Sequence, residues 1–160
     1  MSRWQWIQLL AFEGFWLLAV AGQNRWLVLT VLLLAMHFLF TPSRRADSRV
    51  LSLALLGLAV DGGLVWSGVF AFEHPPWWLM MLWAGFVLTL GHSLVWLRRF
   101  SPWLLALTGA LAGASSYLAG WRLGAVQLPL GFWASSAILV LVWAALLPLL
   151  VRLDQRLRRE

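Results

Sequence analysis

The sequence predicts an all-α protein, an up-and-down integral membrane bundle of six transmembrane helices that forms one domain over residues 1–160. Three observations predict this fold. The chain is 62% hydrophobic with a mean hydropathy of +0.81, its apolar runs are about as long as a spanning helix, and its arginines concentrate on alternate connections between these runs. Such a composition is typical of polytopic membrane proteins and excludes a water-soluble domain.

Short breaks divide the chain into these apolar runs. A spanning helix needs roughly 20 apolar residues. The breaks lie at 22–25, 41–49, 72–76, 98–102 and 122–129, so helices are predicted at about 4–21, 26–40, 50–70, 77–97, 103–121 and 130–151. Because every connection is short, consecutive helices are expected to be antiparallel neighbours. The runs lack the alternation of polar and apolar residues that marks the strands of a membrane barrel.

Arginine sets the expected orientation, since all 12 basic residues are arginine. Arg25 and Arg122 lie on one side of the predicted bundle. The other ten lie at the N-terminus, in the second and fourth connections and in the tail: Arg3, Arg44, Arg45, Arg49, Arg98, Arg99, Arg152, Arg156, Arg158 and Arg159. Cytoplasmic segments retain the excess of basic residues, so both termini are expected in the cytoplasm of a bacterial inner membrane. This rule explains the net charge of +6, and no nucleic-acid partner is expected.

Two further features bear on processing and packing. Residues 19–21 (AVA) resemble a signal-peptidase site, but Glu13 inside the preceding apolar stretch argues against cleavage of the first helix. The chain has no cysteine, which excludes disulfides, thiol nucleophiles and thiolate metal sites. A stripe of small residues on one helix face predicts close packing against a neighbouring helix: Gly109, Gly113, Ser116 and Gly120.

Two carboxylates lie inside the predicted spans. At a rise of about 1.5 Å per residue, Glu13 lies about 14 Å and Asp61 about 16 Å from the cytoplasmic ends of their helices, and Thr89 lies at about 12 Å. A charged carboxylate that faces lipid costs at least about 2.5 kcal/mol, so both acids are expected to face the interior or a wet cavity. They are then protonated, share a proton, pair with His92, or hold a cation or a polar ligand group.

Several chemistries remain open for these residues. Glu13, Asp61 and His92 are candidate metal ligands, His37 and His92 are candidate haem ligands, and a proton path can run from Glu13 through Asp61 to His92. Each acid can equally be a neutral hydrogen-bond donor that fixes helix packing. The sequence therefore decides neither the cofactor nor whether the protein is an enzyme.

Four stretches carry a resemblance to a known family. They are FEGFW from Phe12, LAVDGGLVWSGVFAF from Leu58, PPWWLMMLWAGFVLTLGHSLVWL from Pro75 and GALAGASSYLAGWRLGAV from Gly109. Together they resemble the bacterial inner-membrane proteins catalogued as domain of unknown function 2878, over nearly the whole chain. The matching positions are Asp61, Trp83, Thr89, His92, Ser93, Tyr117 and Gly120. The family more usually has Gln at the position of Glu13 and Gly-Pro near Ser115.

The resemblance implies a compact bacterial membrane protein and no established activity. It adds Ser93 and Tyr117 to the expected cluster, and a genomic context near lipid-modifying enzymes of the cyclopropane-synthase type suggests acyl-chain or envelope-stress chemistry. We therefore expect a lipid-associated membrane factor that binds a lipid, a partner membrane enzyme or a second copy of itself. The binding site is expected to be one buried polar cluster: Asp61, His92, Thr89, Glu13, Ser93 and Tyr117. The alternatives are a small permease or proton-coupled channel, and an intramembrane enzyme that depends on metal or haem.

Overall fold

The computed structural model describes residues 3–159, and within this range the protein consists of α-helices joined by short turns. The helices are α1 (Arg3–Gly22), α2 (Leu27–Phe40), α3 (Arg44–Val50), α4 (Ser52–Trp66), α5 (Trp77–Thr89), α6 (Pro102–Thr108), α7 (Ala114–Arg122) and α8 (Phe132–Arg159). A 3-10 turn over Gln23–Trp26 joins α1 to α2, and the π-helical segment Gly109–Gly113 joins α6 to α7. The predicted all-α fold is confirmed.

Four helical stretches among the described residues are long and apolar enough to cross a membrane. They are Arg3–Phe40, Arg44–Trp66, Pro102–Arg122 and Phe132–Arg159, and α5 is apolar but shorter. The first stretch reverses direction at Gln23, whose φ of 47° is left-handed. As a result Trp4 at the start of α1 lies beside His37 near the end of α2, with ring centroids 5.9 Å apart.

The predicted helix over 77–97 is α-helical only as far as Thr89, and a 3-10 turn follows over Val95–Arg99. The backbone N–H groups of His92 and Leu94 both bond to the carbonyl of Thr89, which turns the chain away from the helix axis. Gly91 lies in this turn, and the guanidinium of Arg158 occupies the space where a Cβ of residue 91 would be. Arg158 therefore packs against the turn that follows the helix, and the apolar pattern gave no sign of this turn.

Two glycines follow the ends of helices. The helix predicted over 50–70 ends earlier, at Trp66, and the one predicted over 103–121 ends at Arg122. Gly68, with φ 75°, follows α4, and the N–H of Val69 bonds to the carbonyl of Leu64 at 2.9 Å. Gly124, with φ 73°, ends α7 with the same hydrogen-bond pattern. This pattern is the Schellman motif, in which glycine takes the left-handed position without strain. The two turns bring Ala71 and Gln127 together, and their backbones exchange hydrogen bonds of 2.9 and 2.8 Å.

The turns of the chain gather at two ends of the molecule. At the loop end, formed by 22–27, 71–76 and 122–131, the Asn24 amide donates to the carbonyl of Pro75 and the Gln23 amide donates to that of Gly124. The terminal end is formed by the starts and finishes of the outer elements, at 3–8, 37–49, 90–101 and 150–159. There the Asp47 carboxylate contacts His92 and Arg158. The core between these ends includes the buried Trp83 and Trp143.

Candidate functional site

Asp61 is buried in α4, and both of its carboxylate oxygens accept hydrogen bonds. The indole N–H of Trp83 in α5 donates to Oδ2 at 2.6 Å, and the hydroxyl of Tyr117 in α7 donates to Oδ1 at 2.7 Å. Burying a carboxylate without such donors is costly. The two donors therefore offset the free-energy cost of burying the Asp61 carboxylate. The carboxylate in turn links α4, α5 and α7.

An elongated apolar groove of about 620 Å³ lies on the other side of Trp83 and Tyr117, which line it. One wall is formed by α1 and α5, the opposite wall is formed by the helix over 102–122, and Trp143 of α8 also lines it. The groove extends from Trp78 near the loop end to Leu97 near the terminal end. Its volume lies in the range of ligand pockets, and its surface is predominantly hydrocarbon and aromatic.

The gap between the two walls of the groove is closed near the loop end and open further along. Trp16 of α1 donates its indole N–H to Ser116 Oγ of α7 at 2.9 Å, and Val20 packs beside Gly120. Beyond these contacts, Glu13 and Ala112 line the groove from opposite walls and are exposed on the molecular surface. The groove therefore opens sideways between α1 and the helix over 102–122.

Glu13 does not lie in the interior beside Asp61, so that expectation is wrong. Its side chain is exposed on the rim of the groove, and among residues 3–159 it has no hydrogen-bond or ion-pair partner. The orientation of α1 explains the difference, because Phe15 packs against Gly85 of α5. Residues two apart in a helix point in different directions, so this contact turns Glu13 away from α4.

The six predicted residues divide between separate places in the fold. Asp61 and Tyr117 are hydrogen-bonded to each other, whereas His92 lies in a second polar site at the terminal end. Thr89 is buried and bonds to the carbonyl of Phe86 in its own helix at 2.6 Å. The backbone N–H of Ser93 bonds to Gln8 Oε1 at 3.3 Å, and the Ser93 hydroxyl has no partner among the described residues.

The second polar site, which we call the Asp47 cluster, consists of His37, Thr41, Asp47, His92 and Arg158. Asp47 is fully buried. Its carboxylate lies 3.0 Å from His92 Nε2, 3.3 Å from His37 Nε2 and 2.8 Å from Arg158 Nη1, and it accepts the Thr41 hydroxyl. The sequence did not indicate Asp47 as a site residue, because it falls in the polar break at 41–49, which is helical over Arg44–Val50 in the structure. Nothing in the sequence connects this segment with a tail arginine.

One ring nitrogen of His37, one ring nitrogen of His92 and one Asp47 oxygen lie within 4.8 Å of one another, a spacing that suits a metal ion. The hydrogen bonds oppose this use. The indole of Trp4 donates to His92 Nδ1 at 3.0 Å, and an indole N–H is a donor alone. The neutral imidazole therefore carries its proton on Nε2, the atom that faces Asp47. The Arg158 guanidinium already neutralises the same carboxylate. A metal cation would therefore have to displace both the Nε2 proton of His92 and the Arg158 guanidinium.

The haem alternative does not fit the two histidines. The rings of His37 and His92 are in edge-to-face contact with centroids 5.4 Å apart. Their Nε2 atoms approach the same Asp47 carboxylate. Axial ligation needs one imidazole on each face of a porphyrin, and rings in mutual contact leave no room for it.

Arg158 connects the Asp47 cluster to a second carboxylate. Its Nε donates to Asp154 at 2.7 Å, and Arg98 donates to the other oxygen of Asp154 at 2.6 Å. Asp154 is fully buried. The end of α8 is therefore held by alternating acids and arginines that reach α3 and the segment before α6.

The comparisons with known proteins identify a family. The family model described as "Protein of unknown function (DUF2878)" matches residues 5–149. No curated protein and no solved structure matches the chain.

Proposed function

Since the chain belongs to the DUF2878 family, whose description gives no activity, we propose from its geometry that it is an inner-membrane lipid-associated factor that binds an acyl chain in the groove. The groove itself supports this proposal. It is long, it is lined mainly by apolar side chains, and it is open sideways. An acyl chain can therefore enter from the hydrocarbon layer without crossing a polar barrier.

The proposed membrane arrangement has six crossings with both termini in the cytoplasm. The Arg3–Phe40 stretch reverses at Gln23 and supplies two crossings, and α5 with the turns after it supplies another. The terminal end carries ten of the 12 arginines, whereas the loop end carries Arg25 and Arg122. The positive-inside rule then directs the terminal end to the cytoplasm.

Single-cysteine labelling tests this arrangement, because the chain contains no cysteine of its own. Ser101 lies at the terminal end and His74 at the loop end, and both are exposed. A membrane-impermeant maleimide added to intact spheroplasts is expected to label His74→Cys and to label Ser101→Cys only after lysis. The reverse pattern would refute the orientation.

The binding proposal is tested by filling the groove. Ala112 is exposed and lines it, so Ala112→Phe is expected to displace an acyl chain. Ala145→Phe is the matched control, because Ala145 is exposed on α8 outside the groove lining. Native mass spectrometry of the purified proteins is expected to show a retained acyl lipid on the wild type and on Ala145→Phe, with loss from Ala112→Phe. Equal retention by both variants would contradict the proposal.

A small permease is the second candidate, because the groove extends from the loop end almost to the terminal end. The geometry of Asp61 favours the lipid factor over this alternative. Both oxygens of that carboxylate are held by donors from other helices, which suits a fixed packing element better than a group that exchanges protons. Solute flux in proteoliposomes that disappears in Asp61→Asn while the variant still folds would favour the permease.

A further inference from the structure

A polar pocket of about 400 Å³ lies at the loop end of the molecule. Its polar lining comes from three connections: Gln23, Asn24, Arg25, Glu73, His74 and Gln127. Two of these side chains are fixed by the fold. The Asn24 amide donates to the carbonyl of Pro75 at 2.8 Å, and its oxygen accepts the backbone N–H of Trp78. The Gln23 amide donates to the carbonyl of Gly124. These hydrogen bonds therefore hold part of the polar lining of the pocket in place.

This polar pocket adjoins the apolar groove. Phe72, Trp78 and Val126 line both cavities, so the end of the groove and the floor of the pocket share the same side chains. A single molecule with an apolar tail and a polar head matches an apolar groove that lies next to a polar pocket. The tail would occupy the groove and the head would occupy the pocket.

The charged side chains of the pocket are free to bind such a head. Arg25 and Glu73 are both exposed, and within the described range 3–159 neither forms a hydrogen bond or an ion pair. The pocket thus presents one guanidinium and one carboxylate that the fold leaves without partners. Guanidinium groups bind phosphate through paired N–H donors, and a carboxylate accepts hydrogen bonds from an ammonium group.

We propose that the polar pocket binds the headgroup of a phospholipid that contains both a phosphate and a primary ammonium, with Arg25 on the phosphate and Glu73 on the ammonium. This inference rests on the proposed function, because the acyl chain of the same lipid lies in the groove. The lipid comes from the leaflet on the side of the loop end. His74 and Gln127 complete the polar surroundings of the head.

Native mass spectrometry with three phospholipids of identical acyl chains tests the headgroup assignment. Phosphatidylethanolamine has the primary ammonium, phosphatidylcholine has a methylated nitrogen that donates no hydrogen bond, and phosphatidylglycerol has no nitrogen. The wild type is expected to bind phosphatidylethanolamine most tightly. Losing one charge-assisted hydrogen bond weakens binding by roughly tenfold, so Glu73→Gln is expected to remove the preference over the other two lipids. Arg25→Gln is expected to weaken all three by about the same factor.

Arg122→Gln is the matched control, because Arg122 is also an exposed arginine at the loop end and does not line the pocket. It is expected to bind like the wild type. Equal binding of the three lipids by the wild type, or equal effects of Arg25→Gln and Arg122→Gln, would overturn the headgroup assignment. If Ala112→Phe still abolished lipid retention in that case, the acyl-chain proposal would stand alone. A wild type that retains none of the lipids would overturn both.

Discussion

The indole rings of Trp83 and Trp143 stack in a parallel, offset arrangement, with centroids 5.7 Å apart and planes inclined by 3°. Each ring packs on a glycine on its outer side, Trp83 on Gly57 and Trp143 on Gly113. The order Gly57, Trp83, Trp143, Gly113 therefore runs across the core from α4 through α5 and α8 to the π-helical segment. Trp83 belongs to this stack and also donates to Asp61. The stack consequently positions both the carboxylate and one wall of the groove.

Adding a methyl group under either ring should destabilise the protein. A Cβ at position 57 would lie 2.2 Å from Trp83, and a Cβ at position 113 would lie 2.1 Å from Trp143. Gly57→Ala and Gly113→Ala are each expected to cost about 1–3 kcal/mol in unfolding free energy, measured by denaturation in detergent. Gly62→Ala in the same helix as Gly57 is the control, since a Cβ there meets nothing within 4 Å. If Gly57→Ala and Gly62→Ala were equally stable, the stack would not be tightly packed.

The two carboxylates inside apolar helices should differ in their effect on stability. Tyr117→Phe removes a donor from the buried Asp61, and leaving such an oxygen unpaired costs about 1–3 kcal/mol. Glu13→Gln changes an exposed side chain without a partner in the described residues, so a change within about 0.5 kcal/mol is expected. Thermal unfolding in one detergent compares the variants. A larger loss for Glu13→Gln than for Tyr117→Phe would show that Glu13 has an interior partner.

Removing the acid of the Asp47 cluster should be among the most damaging substitutions. Asp47→Asn removes one of the two carboxylates that pair with the Arg158 guanidinium, itself 10% exposed, and leaves Asp154 as the other. Breaking a buried ion pair costs up to about 3–5 kcal/mol. Chemical denaturation measures the loss. Ser48→Ala is a suitable control, because Ser48 is the exposed neighbour whose hydroxyl bonds within its own helix. A stability of Asp47→Asn close to that of the control would mean that the pair with Arg158 does not form.

The effect of substituting Gly91 on stability is expected to depend on Arg158. A Cβ at position 91 would lie 2.0 Å from the Arg158 Cζ, so Gly91→Ala is expected to push the guanidinium away from Asp47. A double-mutant cycle with Arg158→Met separates this effect from any local strain. The alanine should be destabilising when Arg158 is present and much less so when methionine replaces it. Additive losses would show that the glycine acts on its own turn alone.

The sequence predicted the fold class well because hydropathy and the length of apolar runs are local properties. It also indicated close packing at Gly109 and Gly113, since small residues at helical spacing permit close approach. The helix end at Thr89 was not predicted, because the apolar run continues past this residue to Leu97.

The candidate site was predicted only in part for a related reason. Helix rise gives depth along the membrane normal but says nothing about rotation, so Asp61 and Glu13 were expected to converge. Rotation is set by contacts such as that of Phe15 with Gly85, and these appear only in three dimensions. The Asp47 cluster depends on pairing a short polar segment with the C-terminal tail, which a single sequence does not encode in any local pattern.

The measurement that tests the central claim most directly is photo-crosslinking with a phospholipid that carries a diazirine on its acyl chain. The purified protein is reconstituted with the probe, irradiated and digested, and the labelled residues are mapped by mass spectrometry. We predict labelling of Trp83 and Phe86, which line the groove, in addition to exposed outer residues such as Val28 and Leu141. Labelling confined to the outer residues, with none in the groove, would contradict the account.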